Sequence, residues 1–383
     1  MSGSAHDISR RYHDPQFSPR YSLWGSFMNR RQFLQSLTAA GTNAILPTFA
    51  LAYQGSSTET PKIAPPTIQF QNIFEEDAWD LPRIGILLVG GIGGTILSEQ
   101  AKNFPYLSRT IAIDTNPFSL QGAIAEKKIL VGDGANLPAD INAAQFFANS
   151  ARQEIANSVA GLDIVFIVAG MGGSTGTGVS PVVADVLRNQ DILTLGATIM
   201  PFDFEGQRLQ IAHAGVRALS QRSNAVLPIF NETFAHVAGQ DALIGSVMKQ
   251  ASITFTQLYR SILNTVAVTG IIGVDFADVR CLLQGEGHSA FGFGSASGIN
   301  GAESATRQAI AHPLLAQCQL QMASGILVAI EGSSQALKMK RIGNIVDLIK
   351  KEASSTDHFI CSAVVNPELD EDFRVSILAH GFC

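Results

Sequence analysis

Charged side chains are scarce in this chain. Asp, Glu, Lys and Arg make up 15% of its 383 residues, the formal net charge is −6, and no long basic run occurs. That argues against a nucleic acid bound by charge alone. Cysteine is scarcer still: Cys281, Cys318, Cys361 and Cys383 stand far apart without a C-x-x-C pair. A zinc site or a disulfide framework is therefore not expected, and reduced thiols are. Outside residues 28–52, no stretch approaches the ~18 uninterrupted apolar residues of a membrane-spanning helix. The Gly-Lys-Ser/Thr that closes a Walker phosphate loop is also missing. What the chain has in quantity is apolar residues, 46% of the total, and enough length for two domains with a tail or linker.

The densest chemical signal is residues 170–181, GMGGSTGTGVSP. An apolar run, residues 163–169, precedes it and predicts a buried strand; residues 182–189 follow with helical apolar spacing. Strand, glycine-rich turn and helix is the order that aims backbone N–H groups at an anion. Gly172, Gly173, Gly176 and Gly178 lack the Cβ atoms that would hold phosphate oxygens away from the backbone, and Ser174, Thr175 and Thr177 add hydroxyl donors. A turn with no ligand is the plainer alternative.

A second glycine cluster, Gly90, Gly91, Gly93 and Gly94 followed by Thr95, comes after the strand expected at residues 83–89. Another strand, residues 109–113, leads into Asp114-Thr115-Asn116. An acid about 20 residues beyond a glycine cluster suggests a dinucleotide-binding unit. The spacing fails, because the third glycine of G-x-G-x-x-G would fall at Ile96.

The run at 170–181 resembles the GGGTGTG signature of the FtsZ/tubulin family of self-assembling GTPases, with Ser174 replacing one glycine. Other segments resemble the family in the family's order. Asp114-Thr115-Asn116 resembles its NTDAQ-like segment, residues 201–206 (PFDFEG) its PFxFEG, residues 273–280 (GVDFADVR) its NxDFADV, and residues 291–315 its GxGxASGxxRAxxAAxxAIxxPLL. The resemblance covers residues 83–383. It implies an α/β fold: a Rossmann-like nucleotide-binding domain, a long central helix within 241–268, and a smaller α+β C-terminal domain. It implies GTP or GDP, with Mg²⁺, held by Gly90, Gly91, Gly93, Gly94, Thr95 and residues 172–178. Glu205 would contact the ribose and Asn231 help to hold the nucleotide. Arg208 would replace a phosphate-touching Arg, whose usual place Leu209 occupies. Asp275 and Asp278 would be the catalytic acids, reaching the next subunit's nucleotide in a head-to-tail filament of this chain or a co-assembly with another FtsZ. The bland alternative is that these two acids cap the helix after them.

Several positions depart from the family's pattern. Gly273 replaces the Asn of NxDFADV, and Met248 and Ile253 fall where a Phe and an Asp recognise guanine. The phosphate-closing loop is shortened at residues 132–140. These keep open a second reading, a nucleotide-binding structural or regulatory paralogue with little hydrolysis. The expected organisation is an N-terminal extension over 1–80, a nucleotide-binding domain over 81–240, a central helix and catalytic loop over 241–283, and a C-terminal domain over 284–383. Within the extension, residues 28–52 resemble a twin-arginine export signal, Arg30-Arg31-Gln32-Phe33-Leu34 before an apolar stretch. A filament that consumes GTP needs the cytoplasm, so the expectation is a cytoplasmic core with residues 28–52 as a membrane anchor; export is the alternative.

Overall fold

In β1 (Ile84–Val89) every side chain is buried, yet they serve two different cores. Ile84, Ile86 and Leu88 join one apolar cluster, Leu87 and Val89 another. The same alternation splits β4 (Ile164–Gly170), whose Phe166 and Val168 face one way and Ile167 and Ala169 the other. A strand with helices on both faces reads as an unbroken apolar run, as residues 84–89 and 164–169 do. The computed structural model describes residues 81–91, 104, 106–132, 140–239, 241–268, 270–285, 287–353, 356, 358–367, 369 and 372–382. The anchor or export segment at 28–52 lies outside them, as do Gly93, Gly94, Thr95 and most of the loop at 132–140.

The remaining strands are β2 (Leu107–Asp114), β3 (Lys127–Leu130), β5 (Leu193–Met200), β6 (Ala225–Phe230), β7 (His288–Ala296), β8 (Gly325–Gly332), β9 (His358–Val365) and β10 (Phe373–Phe382). One sheet takes them in the order β3-β2-β1-β4-β5-β6-β7-β10-β8-β9. Its first six strands are parallel. β7, β10 and β8 pair antiparallel, and β9 lies parallel to β8. The two halves meet at a single paired position, Val226 with His288.

The helices are α1 (Pro117–Gly122), α2 (Ile141–Ser150), α3 (Arg152–Val159), α4 (Ser174–Asn189), α5 (Gln207–Ser220), α6 (Asn231–Ala238), α7 (Ile244–Val266), α8 (Phe276–Leu282), α9 (Gly301–Ile310), α10 (Pro313–Ala316) and α11 (Met339–Ala353). Against one face of the parallel half lies α7, 23 residues long, which buries Val247, Ala251, Phe255, Leu258, Tyr259 and Ile262. Phe255 and Tyr259 pack on Phe166 with ring centroids 6.0 and 5.4 Å apart. The other face is covered by α2, α3, α4 and α5. The second half has its own core, built by α9 and α11 against β8 and β10. Among the described residues no helix is long and apolar enough to cross a membrane.

One local reading needs correction. The helix expected from residue 182 begins at Ser174, so Gly176 and Gly178 are helical. Between α2 and α3 the chain breaks at Ala151, whose φ of −92° and ψ of 5° end α2. Arg152, the first residue of α3, is thereby turned onto Asp185 of α4. Asn231, directly after β6, is the first residue of α6.

Candidate functional site

The parallel order places β1 between β2 and β4, so the chain leaves β1 toward one side of the sheet and returns on the other. The crevice outside the carboxyl ends of the strands at such a reversal is where open α/β sheets bind ligands. Both glycine segments end there. A Cβ built on Gly90, at the end of β1, would lie 3.6 Å from the backbone N of Gly176 and 3.7 Å from Cβ of Thr175. Gly91 follows beside Ser119.

The glycines of the signature do different jobs. Gly172 has a φ of +91°, and a Cβ there would lie 2.7 Å from the carbonyl oxygen of Arg208. A Cβ on Gly176 would fall 1.9 Å from the carbonyl oxygen of Gly170, so this glycine lets α4 start directly against the end of β4. At Gly178 it would meet the carbonyl oxygen of Ile141 at 2.7 Å, which makes this glycine a contact between α4 and α2. Only Gly173 of the four has room in front of it: the nearest atom is Nη2 of Arg208, 3.9 Å away.

The hydroxyls divide likewise. Thr177, buried in the first turn of α4, accepts a hydrogen bond from the Gly172 N–H at 3.0 Å and closes the turn. Thr175 shares a hydrogen bond of 2.7 Å with Thr115, tying the signature to the end of β2. Ser174 is half-buried at the head of the helix. Sequence reasoning left Asp114 and Thr115 out of the candidate residues, although the acid at the end of β2 was a visible signal. Asp114 accepts from the Asn116 N–H at 2.9 Å, and burial holds its carboxyl above the usual carboxylate range, against hydrogen bonds that lower it.

At the end of β5, Glu205 uses one oxygen to accept the Phe202 N–H at 2.9 Å and the other to pair with Arg208. The two candidate residues thus hold each other beside Gly173, and Leu209 packs into the core. Asn231, at the end of β6, is 4% exposed, and its Oδ1 has no hydrogen-bond partner among the described residues. Such a buried unpaired acceptor is costly without a ligand or water. Met248 packs against the core around α7.

Asp275 and Asp278 lie elsewhere. They flank the start of α8, both exposed, and neither carboxylate has a hydrogen bond or ion pair among the described residues. Asp275 occupies the capping position without making a side-chain cap bond. One turn on, Arg280 is fastened to Asp191 by two bonds of 2.8 Å, to the carboxylate and to the carbonyl oxygen. Asp191 precedes β5, and β4 and β5 run parallel, with Ile164 opposite Leu193 and Gly170 opposite Ile199. The anchor of α8 therefore sits at the amino ends of the strands. The glycines sit at the carboxyl ends, a strand length of roughly 25 Å away for eight residues.

Comparison with known proteins agrees with this fold. Residues 57–239 match the Tubulin/FtsZ family GTPase domain and residues 287–383 the FtsZ family C-terminal domain. The cell division protein FtsZ of Azotobacter vinelandii is 33% identical over 303 residues, 78% of this chain and 77% of that protein. Among solved structures, an empty FtsZ dimer from M. jannaschii superposes with a TM-score of 0.70 at 26% identity, covering 78% of this chain and 88% of that one. CetZ1 of Haloferax volcanii, a GDP-bound monomer, shares the fold with a TM-score of 0.68 at 19% identity, over 79% of this chain and 94% of that one. With both halves matched in order and the sheet built in the same way, this chain belongs to the FtsZ/tubulin family of GTPases.

Proposed function

We propose that the chain binds GTP between the ends of β1 and β4, assembles head to tail with copies of itself, and hydrolyses GTP where Asp275 and Asp278 of one copy meet the nucleotide of the next. The observation that carries this reading is the separation just described. The open space at Gly173 and the two carboxylates, unpaired among the described residues, lie at opposite ends of the parallel strands. One subunit cannot bring them together. Two subunits stacked along the strand direction can, and such a heterologous contact repeats as an open filament.

Within the binding end, Gly90 and Gly91 bound one side of the opening. Gly173 and the first turn of α4, with Ser174 and Thr175, offer backbone and hydroxyl donors to phosphate oxygens, where the helix N-terminus favours negative charge. Arg208 stands over that opening, positioned by Glu205, and Asn231 offers its unpaired oxygen to the nucleoside. Mg²⁺ fits here as an ion carried mainly by phosphate oxygens and water, supplying charge neutralisation during phosphoryl transfer. At the catalytic end, Asp275 and Asp278 are free to orient a water and accept its proton. Their freedom from capping bonds leaves both as acceptors. A renewable GTP supply places the assembling core in the cytoplasm. The cell division role carried by the A. vinelandii relative is the process this reading favours.

Turnover of GTP per subunit, followed over a protein concentration series with pelleting in parallel, tests the shared site. The rate per subunit is expected to rise with concentration, and Asp278→Ala to lower it ~100-fold or more while nucleotide affinity holds. A rate independent of concentration rules out completion by a neighbour.

A further inference from the structure

We propose that the cleft between α2, α3, α4 and the end of α5 is a second site, built for a compact phosphate-bearing anion. It has a volume of about 330 Å³ and is lined in part by Gln145, Asn149, Arg152, Asp185, Arg188 and Arg222. That volume is within the range of small-molecule sites. The cleft lies toward the C-terminal end of α4, and the reading does not depend on nucleotide binding at the glycine end.

Its charges are arranged around one acid. Asp185 takes Arg152 on one oxygen at 2.6 Å and Arg188 on the other at 2.8 Å. The hydrogen bond from Arg152 holds its carboxyl below the usual carboxylate range, so it is ionised at neutral pH. Arg188 also donates to the carbonyl oxygen of Gln221 at 3.1 Å, and Arg152 to Oδ1 of Asn149 at 3.3 Å. Arg222 donates to the carbonyl oxygen of Ala218 at 2.7 Å and, among the described residues, has no acidic partner. Two guanidinium groups thus share one carboxylate and a third lines the same cleft, so its three arginines outnumber its one acid by two charges.

A structural ion pair needs one arginine for one acid. Here a third arginine is held in the same cleft with most of its five N–H donors unspent among the described residues, and Gln145 also lines that cleft. Fixed, forked donors converging from three sides match the several acceptor oxygens of a phosphate group. Asp185 sets the orientation of two of them, which reduces the ordering needed when an anion enters. A cation would meet a net positive wall, and an apolar ligand would strip water from guanidinium groups without replacing it. The concave shape favours a small ligand over a flat protein surface.

The test is calorimetric titration of the full chain with inorganic pyrophosphate and, separately, with glycerol 3-phosphate as a phosphate ester. We expect a saturable event separate from any at the glycine end, weakened ~10-fold or more in Arg222→Gln. That variant leaves the Asp185 bridge intact, and its fold is checked by circular dichroism. Arg188→Gln, which leaves Asp185 paired with Arg152, serves as the second variant. Gly173→Val, at the other end of α4, should leave the event unchanged. Tighter binding of the ester identifies an organic phosphate as the natural ligand, and tighter binding of pyrophosphate a free inorganic ion. The proposal is overturned by the absence of saturable heat up to ~10 mM. It is equally overturned if the event survives both arginine variants, or disappears in Gly173→Val. A folded Arg222→Gln variant altered only in self-association, with no anion bound by the parent, would assign the cleft to a protein partner instead.

Discussion

The two ends of α4 are about 24 Å apart, for sixteen residues, and are built from opposite materials. The N-terminal end is made of glycines, hydroxyls and backbone N–H groups, with Asp114 buried beneath them. The C-terminal end is made of guanidinium groups around Asp185. A helix N-terminus already attracts anions through its unpaired N–H groups, so what it requires of the sequence is space. The C-terminal end carries the opposite partial charge, and an anion can be held there only if side chains supply the positive charge. The difference teaches that similar chemistry at two places on one helix calls for unlike residues, and that glycine at the first end and arginine at the second answer the same problem.

The comparison can be broken most violently at Gly176. A Cβ there falls 1.9 Å from a backbone oxygen that cannot move without opening β4. Gly176→Ala should cost a few kcal/mol by overpacking and lower the melting temperature by at least ~5 °C, or abolish soluble protein. Thermal unfolding followed by circular dichroism measures it. An Ala variant as stable as the parent would mean that α4 does not start against β4 in this way.

Gly173 sharpens the same contrast. Its surroundings are open, and its φ of −101° and ψ of 165° suit any residue. Gly173→Val should therefore melt within ~2 °C of the parent yet bind GTP at least ~10-fold more weakly, because the added methyl groups occupy the space assigned to phosphate. Equal affinity in a folded variant would remove the anion from this end of the helix.

The smallest expected effect is on pH, and its sign differs between the two ends. Burial raises the carboxyl of Asp114, so the folded chain binds its proton more tightly than the unfolded chain does. Stability from this group falls as pH rises from the ordinary carboxylate value through the folded one. Asp185 is lowered, so its contribution is present above the ordinary value and lost as pH falls toward the folded one. In nucleotide-free protein, Asp114→Asn should flatten the upper limb of the stability profile while still accepting the Asn116 N–H. Asp185→Asn should flatten the lower limb, by no more than ~1 kcal/mol for a pair this close to solvent. Urea unfolding from pH 3 to 7 reads both. Effects of the same sign would show that the two carboxylates sit in equivalent surroundings.

Much of the molecule could be read in advance. The strands β1, β4, β5 and β6 appear as apolar runs because both of their faces are buried, and the signature is legible because its glycines are contiguous in sequence. Boundaries were harder. Gly176 and Gly178 suggested a longer turn because glycine is a poor helix former, and their contacts with Gly170 and Ile141 override that propensity. The break at Ala151 has no local mark, and it goes with the pairing of Arg152 with Asp185, 33 residues away. Thr115 meets Thr175 across 60 residues, and Arg280 meets Asp191 across 89. Sequence spacing has no bearing on such pairs.

The sequence by itself determined which segments become strands, where the glycine-rich turn lies and which family the chain resembles. Each of these depends on a residue's own chemistry and that of its near neighbours along the chain. Only the tertiary structure decided that Gly176 guards packing while Gly173 guards open space, that Arg152 and Arg188 meet on Asp185 with Arg222 in the same cleft, and that Asp275 and Asp278 lie at the far end from the glycines. Those distances are set by strand order and parallel direction in the sheet, which sum over many weak contacts between segments remote in sequence.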